Sequence, residues 1–143
     1  MATYHTHEGT YELPAGWRDE TVVIHSVGDP AGPARFSFVL QRAQPAPGED
    51  FIDFAERQLT ELSSAIPGVE VLGRVQREVD GALALEVELR WASDRGPMHQ
   101  KQVYLQTPTG ALIFTVSALG RIPEQHLRET DSLLASFRFR TGG

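Results

Sequence analysis

Ala82-Leu83-Ala84-Leu85-Glu86-Val87-Glu88-Leu89-Arg90-Trp91 alternates without a break. Leu83, Leu85, Val87, Leu89 and Trp91 take one side of an extended chain; Ala82, Ala84, Glu86, Glu88 and Arg90 take the other. Ten residues of period two read as a strand with one apolar face, the signature of an antiparallel sheet. Outward from it the pattern recurs. Phe36, Phe38 and Leu40 alternate with Ser37, Val39 and Gln41, and Leu112, Phe114, Val116 and Ala118 repeat the rhythm. Breaks fall at Gly28–Pro33, Pro45–Gly48, Ile66–Gly68, Ser93–Pro97 and Thr107–Gly110, which read as loops.

Two segments switch to the helical period. Asp50 caps a helix running to about Ala65, with Asp53 in its first turn where the dipole favours negative charge. Pro123 suits the first position of a second helix that carries Leu127, Leu133 and Leu134 and ends near Ser136. Phe137-Arg138-Phe139-Arg140 then reads as a last short strand, and Thr141–Gly143 as an unstructured tail. The expected class is α+β: an antiparallel meander packed by two α-helices, in one domain over residues 1–143.

Composition narrows the function. Cysteine is absent, which removes thiolate catalysis, cysteine-based metal sites and disulfides. Thirteen basic residues stand against 19 acidic ones, a net charge of −6, so no nucleic-acid partner is expected. Lys101 is the only lysine. No apolar run reaches the roughly 18 residues of a membrane span. Met1–Glu8 lacks the basic start and apolar centre of a signal peptide, so the expected compartment is the cytoplasm.

The search for chemistry finds no nucleophile elbow, phosphate loop, zinc-protease helix or dinucleotide fingerprint. His5 and His7 alternate and could share a metal with Glu8, although terminal polar histidines more often stay solvated. Glu86 and Glu88 lie on one strand face beside Arg90, which reads more simply as an outer charged face than as an acid/base pair. No enzyme, metal or cofactor is expected.

Polar residues in apolar positions are more informative. On a wheel at 100° per residue from Phe51, Gln58 falls at about 340°, inside the arc of Phe54, Ala65, Phe51, Leu62, Ala55, Ile66, Leu59 and Ile52. A buried amide needs a partner, either a backbone group within the monomer or one on another molecule. Val22 and Ile24 alternate with Val23, His25 and Val27, so that strand is apolar on both sides. Met98, Gln100, Gln102, Tyr104 and Gln106 form one face of a later strand, opposite Val103 and Leu105. If the helices cover a single side of the sheet, an apolar face dotted with amides is left to meet another chain; the alternative is an ordinary two-sided core with some exposed glutamines.

These residues also carry a resemblance. Tyr4, His7-Glu8 and Leu13-Pro14-Ala15-Gly16-Trp17-Arg18-Asp19 open it. Gly32-Pro33-Ala34-Arg35 then leads into Ser37-Phe38-Val39-Leu40, followed by Ala55-Glu56-Arg57-Gln58-Leu59, Pro67-Gly68 and Lys101-Gln102-Val103-Tyr104. In order and spacing, from Tyr4 to about Phe139, the chain resembles the Eag chaperones of bacterial type VI secretion, within the DcrB-like group of PsbP-like folds.

The resemblance implies a homodimeric cytoplasmic chaperone that shields the hydrophobic N-terminal transmembrane helices of PAAR- or Rhs-type effectors before loading onto the secretion spike. It places Val22 and Ile24, Ser37 and Val39, Gln58 and Gln102 on the surface that clasps the effector helices, with Gln41 and Leu62 beside them. It also gives the two amides partners on the bound helix, so Gln58 and Gln102 are expected to serve client retention rather than folding. A DcrB-like interaction module without a chaperone role, or a small-ligand binder, is the alternative, because one fold hosts many functions.

Overall fold

The structure, a computed structural model, describes residues 2–28 and 36–140. Its centre is the strand pair expected from the alternation: β6 (Ala82–Ser93) and β7 (Gly96–Thr107) run antiparallel, with Val87 opposite Gln102. The meander continues on both sides to β5 (Glu70–Val79) and β8 (Gly110–Leu119). Asp80 and Gly81 turn β5 into β6 with φ of 48° and 77°, the left-handed pair a two-residue hairpin needs. Beyond β8 lie β4 (Phe36–Ala43) and β3 (Val22–Val27), giving the order β3-β4-β8-β7-β6-β5, all antiparallel. A separate hairpin of β1 (Ala2–His5) and β2 (Thr10–Leu13) precedes the sheet, with Tyr4 stacked on Tyr11.

α1 (Phe51–Ala65) starts as expected, the Asp50 carboxylate accepting the Asp53 N–H at 2.9 Å. α2 (Glu124–Ser136) begins one residue later than expected, with Pro123 in the cap position. The helices cover opposite faces. Phe51, Phe54, Ala55 and Leu59 of α1 pack on Leu85, Val87 and Leu89 of β6, Tyr104 of β7 and Ile113 of β8. Leu134 of α2 joins Phe36 and Phe38 of β4, Val103 and Leu105 of β7 and Phe114 and Val116 of β8. Helix cover confined to one side is therefore corrected: strands apolar on both faces receive a helix on both. α1 packs on β6 to β8 and leaves β3 uncovered, whereas the α2-side core runs from Phe36 of β4 to Val79 of β5.

Phe137–Arg140 is not a strand. Phe137 meets Phe114 edge-on, Phe139 meets Phe137 edge-on, and the Phe139 N–H donates to Asp80 at 2.9 Å. Its alternation serves burial of two rings against the α2-side core instead of a ladder. The expected Gly28–Pro33 loop, apart from Gly28, and the Thr141–Gly143 tail lie outside the described residues.

Candidate functional site

Register places the open half of the α1 face in three rows across four strands. The first is Val22–Gln41–Ile113–Tyr104, the second Ile24–Val39–Thr115–Gln102, and the third Ser26–Ser37–Ser117–Gln100. Opposed residues in an antiparallel ladder share a face, so each row is a line of neighbouring side chains. Strands about 4.8 Å apart make the rows roughly 14 Å wide, close to the ~10–12 Å diameter of a helix with its side chains, and α1 already buries the inner end of the first row at Ile113 and Tyr104. Ile24 is 66% exposed and Val22 45%, while Ser37, Val39, Thr115 and Gln102 are half-buried.

No charged side chain stands in these rows. Their polar groups are hydroxyls and amides, and several hold one another. Ser37 and Ser117 hydroxyls lie 3.0 Å apart. The Tyr104 hydroxyl donates to the Gln102 carbonyl oxygen, and the Gln102 amide donates to Gln100 at 3.1 Å. Burial pushes the Tyr104 phenol up to about 12, so this ladder stays uncharged at any physiological pH.

α1 forms one bank of the floor. Glu56 pairs with Arg74 on β5, which turns that flank of the helix toward the far edge of the sheet. Gln58 lies some 160° round the wheel from Glu56, on the flank nearer β8, β4 and β3. It is half-buried, and among the described residues its amide forms no side-chain hydrogen bond. Arg57 on that side is held twice by Glu49, at 2.9 Å from each carboxylate oxygen, which keeps Arg57 protonated and the Glu49 carboxyl below the usual range. That charge is neutralised in place. Leu62 has a divided role, half-buried and packed partly against the α1-side core.

The fold thus brings Val22, Ile24, Ser37, Val39, Gln41 and Gln102 onto one surface, with Gln58 and Leu62 on the bordering helix. Sequence reasoning left out Thr115 and Ser117, and put Gln100 on the amide face without a role in the site. Thr115 and Ser117 alternate with Phe114, Val116 and Ala118, a legible pattern, but only the pairing of β8 with β4 and β7 gives them these neighbours. The other candidates stand apart from this surface. His7 lies beyond β1, where the Thr6 N–H closes a turn on Gly9, and no cluster of three or more metal-ligating side chains occurs among the described residues. Glu86 and Glu88 face the α2 side half-buried rather than as an outer solvated face: Arg77 reaches Glu86 at 2.8 Å and His99 lies 3.4 Å from Glu88.

Comparison with known proteins agrees with this architecture. The DcrB family model matches residues 8–136. The protein named Effector EagT6 from Pseudomonas aeruginosa is 28% identical over 118 residues, 82% of this chain and 81% of that one. The crystal structure of PA94, a Pseudomonas aeruginosa protein of unknown function, superimposes with a TM-score of 0.82 at 25% identity, covering 99% of both chains. The solution structure of cyanobacterial PsbP from Synechocystis sp. PCC 6803 superimposes with a TM-score of 0.49 at 13% identity, over 93% of this chain and 86% of that one.

Proposed function

The chain belongs to the DcrB family, and from that premise we propose that it is a cytoplasmic chaperone for the apolar N-terminal transmembrane helices of type VI secretion effectors of the PAAR or Rhs type. The observation that carries the reading is the uncharged floor beside α1, one helix wide, apolar at Val22, Ile24 and Val39 and studded with hydroxyls and amides. Similarity to a relative named as an effector protein supports it, and neither Pseudomonas aeruginosa relative is named as an enzyme.

Membrane helices associate through close packing and hydrogen bonds from small polar groups. The floor offers both in water. Burying a client helix removes apolar surface worth roughly 25 cal/mol per Å², and Gln58, Gln100, Gln102 and Thr115 meet its hydroxyls and any free carbonyls. With no charge at the contact, affinity comes from area and shape. A homodimer, the arrangement the family resemblance implies, would bring two such floors to one client.

Co-expression with an effector's apolar N-terminal segment tests the proposal. The segment stays soluble only with this protein, and the complex survives a wash near 1 M salt, where screening has shortened to about 3 Å. Release by salt, or a segment soluble alone, overturns it. Light scattering on the purified complex reads two copies of this chain per particle.

A further inference from the structure

On the opposite face, where α2 does not reach, a cavity of about 300 Å³ is lined by Leu72, Glu88, Arg90, His99, Gly120 and Arg121. We infer that this cleft is a second binding site, which takes a carboxylate from an acidic segment of a partner protein. The inference concerns a different face and stands whether or not the floor beside α1 binds a helix.

The cleft is built, not incidental. Arg90 lies directly across from His99 in the β6–β7 ladder, which puts both on the α2 side. Arg121 is held over them by its neighbours: the Gly120 N–H donates to Pro97 at 2.6 Å, and the Ile122 N–H donates to the His99 Nδ1 at 2.8 Å. Because Nδ1 accepts a backbone proton, the buried His99 ring carries its own proton on Nε2, 3.4 Å from Glu88. The ring therefore turns its one N–H toward Glu88 at the floor of the cleft.

Charge selects the ligand. Arg57, Arg74 and Arg77 each face a carboxylate, whereas Arg90 and Arg121 have none within ion-pair distance among the described residues. Among the lining residues two exposed guanidiniums stand against Glu88, a balance of about one positive charge, while Glu70 across from Arg90 and Lys101 across from Glu88 in the ladders offset each other just outside it. A monoanion balances that charge and a dianion overshoots it. Guanidinium groups pair with carboxylates in a planar, two-bond geometry, and two of them can grip one group from both sides.

Amide chemical shifts of the whole protein, titrated with sodium acetate, inorganic phosphate and an end-blocked hexapeptide carrying one Glu among Ser residues, test the site. Shifts should concentrate at the amides of His99, Gly120, Arg121 and Ile122, with the peptide tighter than acetate and acetate tighter than phosphate. Arg90→Gln and Arg121→Gln each change an exposed side chain and should weaken peptide binding about tenfold, one charge-assisted contact apiece. Glu88→Gln removes the one carboxylate of the lining and should tighten it while raising the rank of phosphate. Scattered shifts, or binding indifferent to both arginine changes, overturn the site. Acetate binding without peptide binding overturns the acidic segment as its source, phosphate ahead of acetate in the unsubstituted protein overturns the charge argument, and so does weaker binding in Glu88→Gln.

Discussion

Two halves of a single sheet face behave oppositely. Beneath α1, Leu85, Val87 and Leu89 of β6 are buried, Val87 and Leu89 completely. On the other half of that face, Val22 and Ile24 of β3 are exposed, although their side chains are of the same kind and alternate in the same way. The difference lies in cover. α1 leaves β4 and crosses to the start of β5 at the far edge of the sheet, so its apolar stripe lands on β6 to β8 and leaves β3 and β4 bare. The covered half shows what this face does when satisfied; the bare half shows what it still requires.

The sharpest way to break the comparison is to put a carboxylate in each half. Val87→Asp should cost several kcal/mol, a large part of a typical domain's stability of about 5–15 kcal/mol, and abolish a cooperative thermal melt. Val39→Asp leaves its charge in reach of water while the floor is empty, so the melt should stay within a few degrees and client recovery should vanish. If both variants unfold, the open floor is core and the two halves do not differ.

A smaller effect separates the two amides. Both were expected to serve client retention rather than folding, but the structure divides them. Gln102→Leu leaves the Tyr104 hydroxyl without its acceptor, at a cost of about 1–3 kcal/mol. Gln58→Leu removes no side-chain hydrogen bond among the described residues and should stay within about 0.5 kcal/mol of the parent in denaturant unfolding. Tyr104→Phe in the Gln102→Leu background should recover most of the loss. Equal stability of the two single variants would show that the ladder contributes nothing to the fold.

The mildest expectation concerns alkali. The Tyr104 phenol titrates near 12 in the folded chain, against about 10 when unfolded. Its neutral form is the one the fold favours, so the contribution is complete below pH 10 and is lost as pH rises from there through 12. Absorbance titration of tyrosinate should show one of the three tyrosines ionising late, and the late step should disappear in Tyr104→Phe. Three coincident titrations would place Tyr104 outside the buried boundary of the floor.

Legibility in the sequence followed the range of the interactions. The β6 alternation, the Asp50 cap and the extent of α1 depend on neighbours a few residues apart, and those readings agree with the structure. Phe137–Arg140 misled because alternation reports where side chains point, not whether a strand edge lies alongside; here both rings turn into the core and the backbone finds Asp80. The Asp80-Gly81 dipeptide carries the signal of a two-residue hairpin in the sequence itself. At the floor, Gln58 and Gln102 stood out as amides in apolar company, whereas Thr115 and Ser117 looked like ordinary polar alternates until β8 was paired with β4.

The chain's own pattern of periods and breaks determined the two helices, the strands β3, β4, β6, β7 and β8, the lack of thiol chemistry and the presence of polar groups on apolar faces. Only the tertiary structure decided that the helices take opposite faces, that α1 stops short of β3 and β4, and that Ser37 and Ser117, 80 residues apart, touch across the floor. The reason is physical. Periodicity records that a residue needs cover, because burial is favourable wherever it occurs; which element supplies that cover depends on the path of the chain, which no local pattern contains.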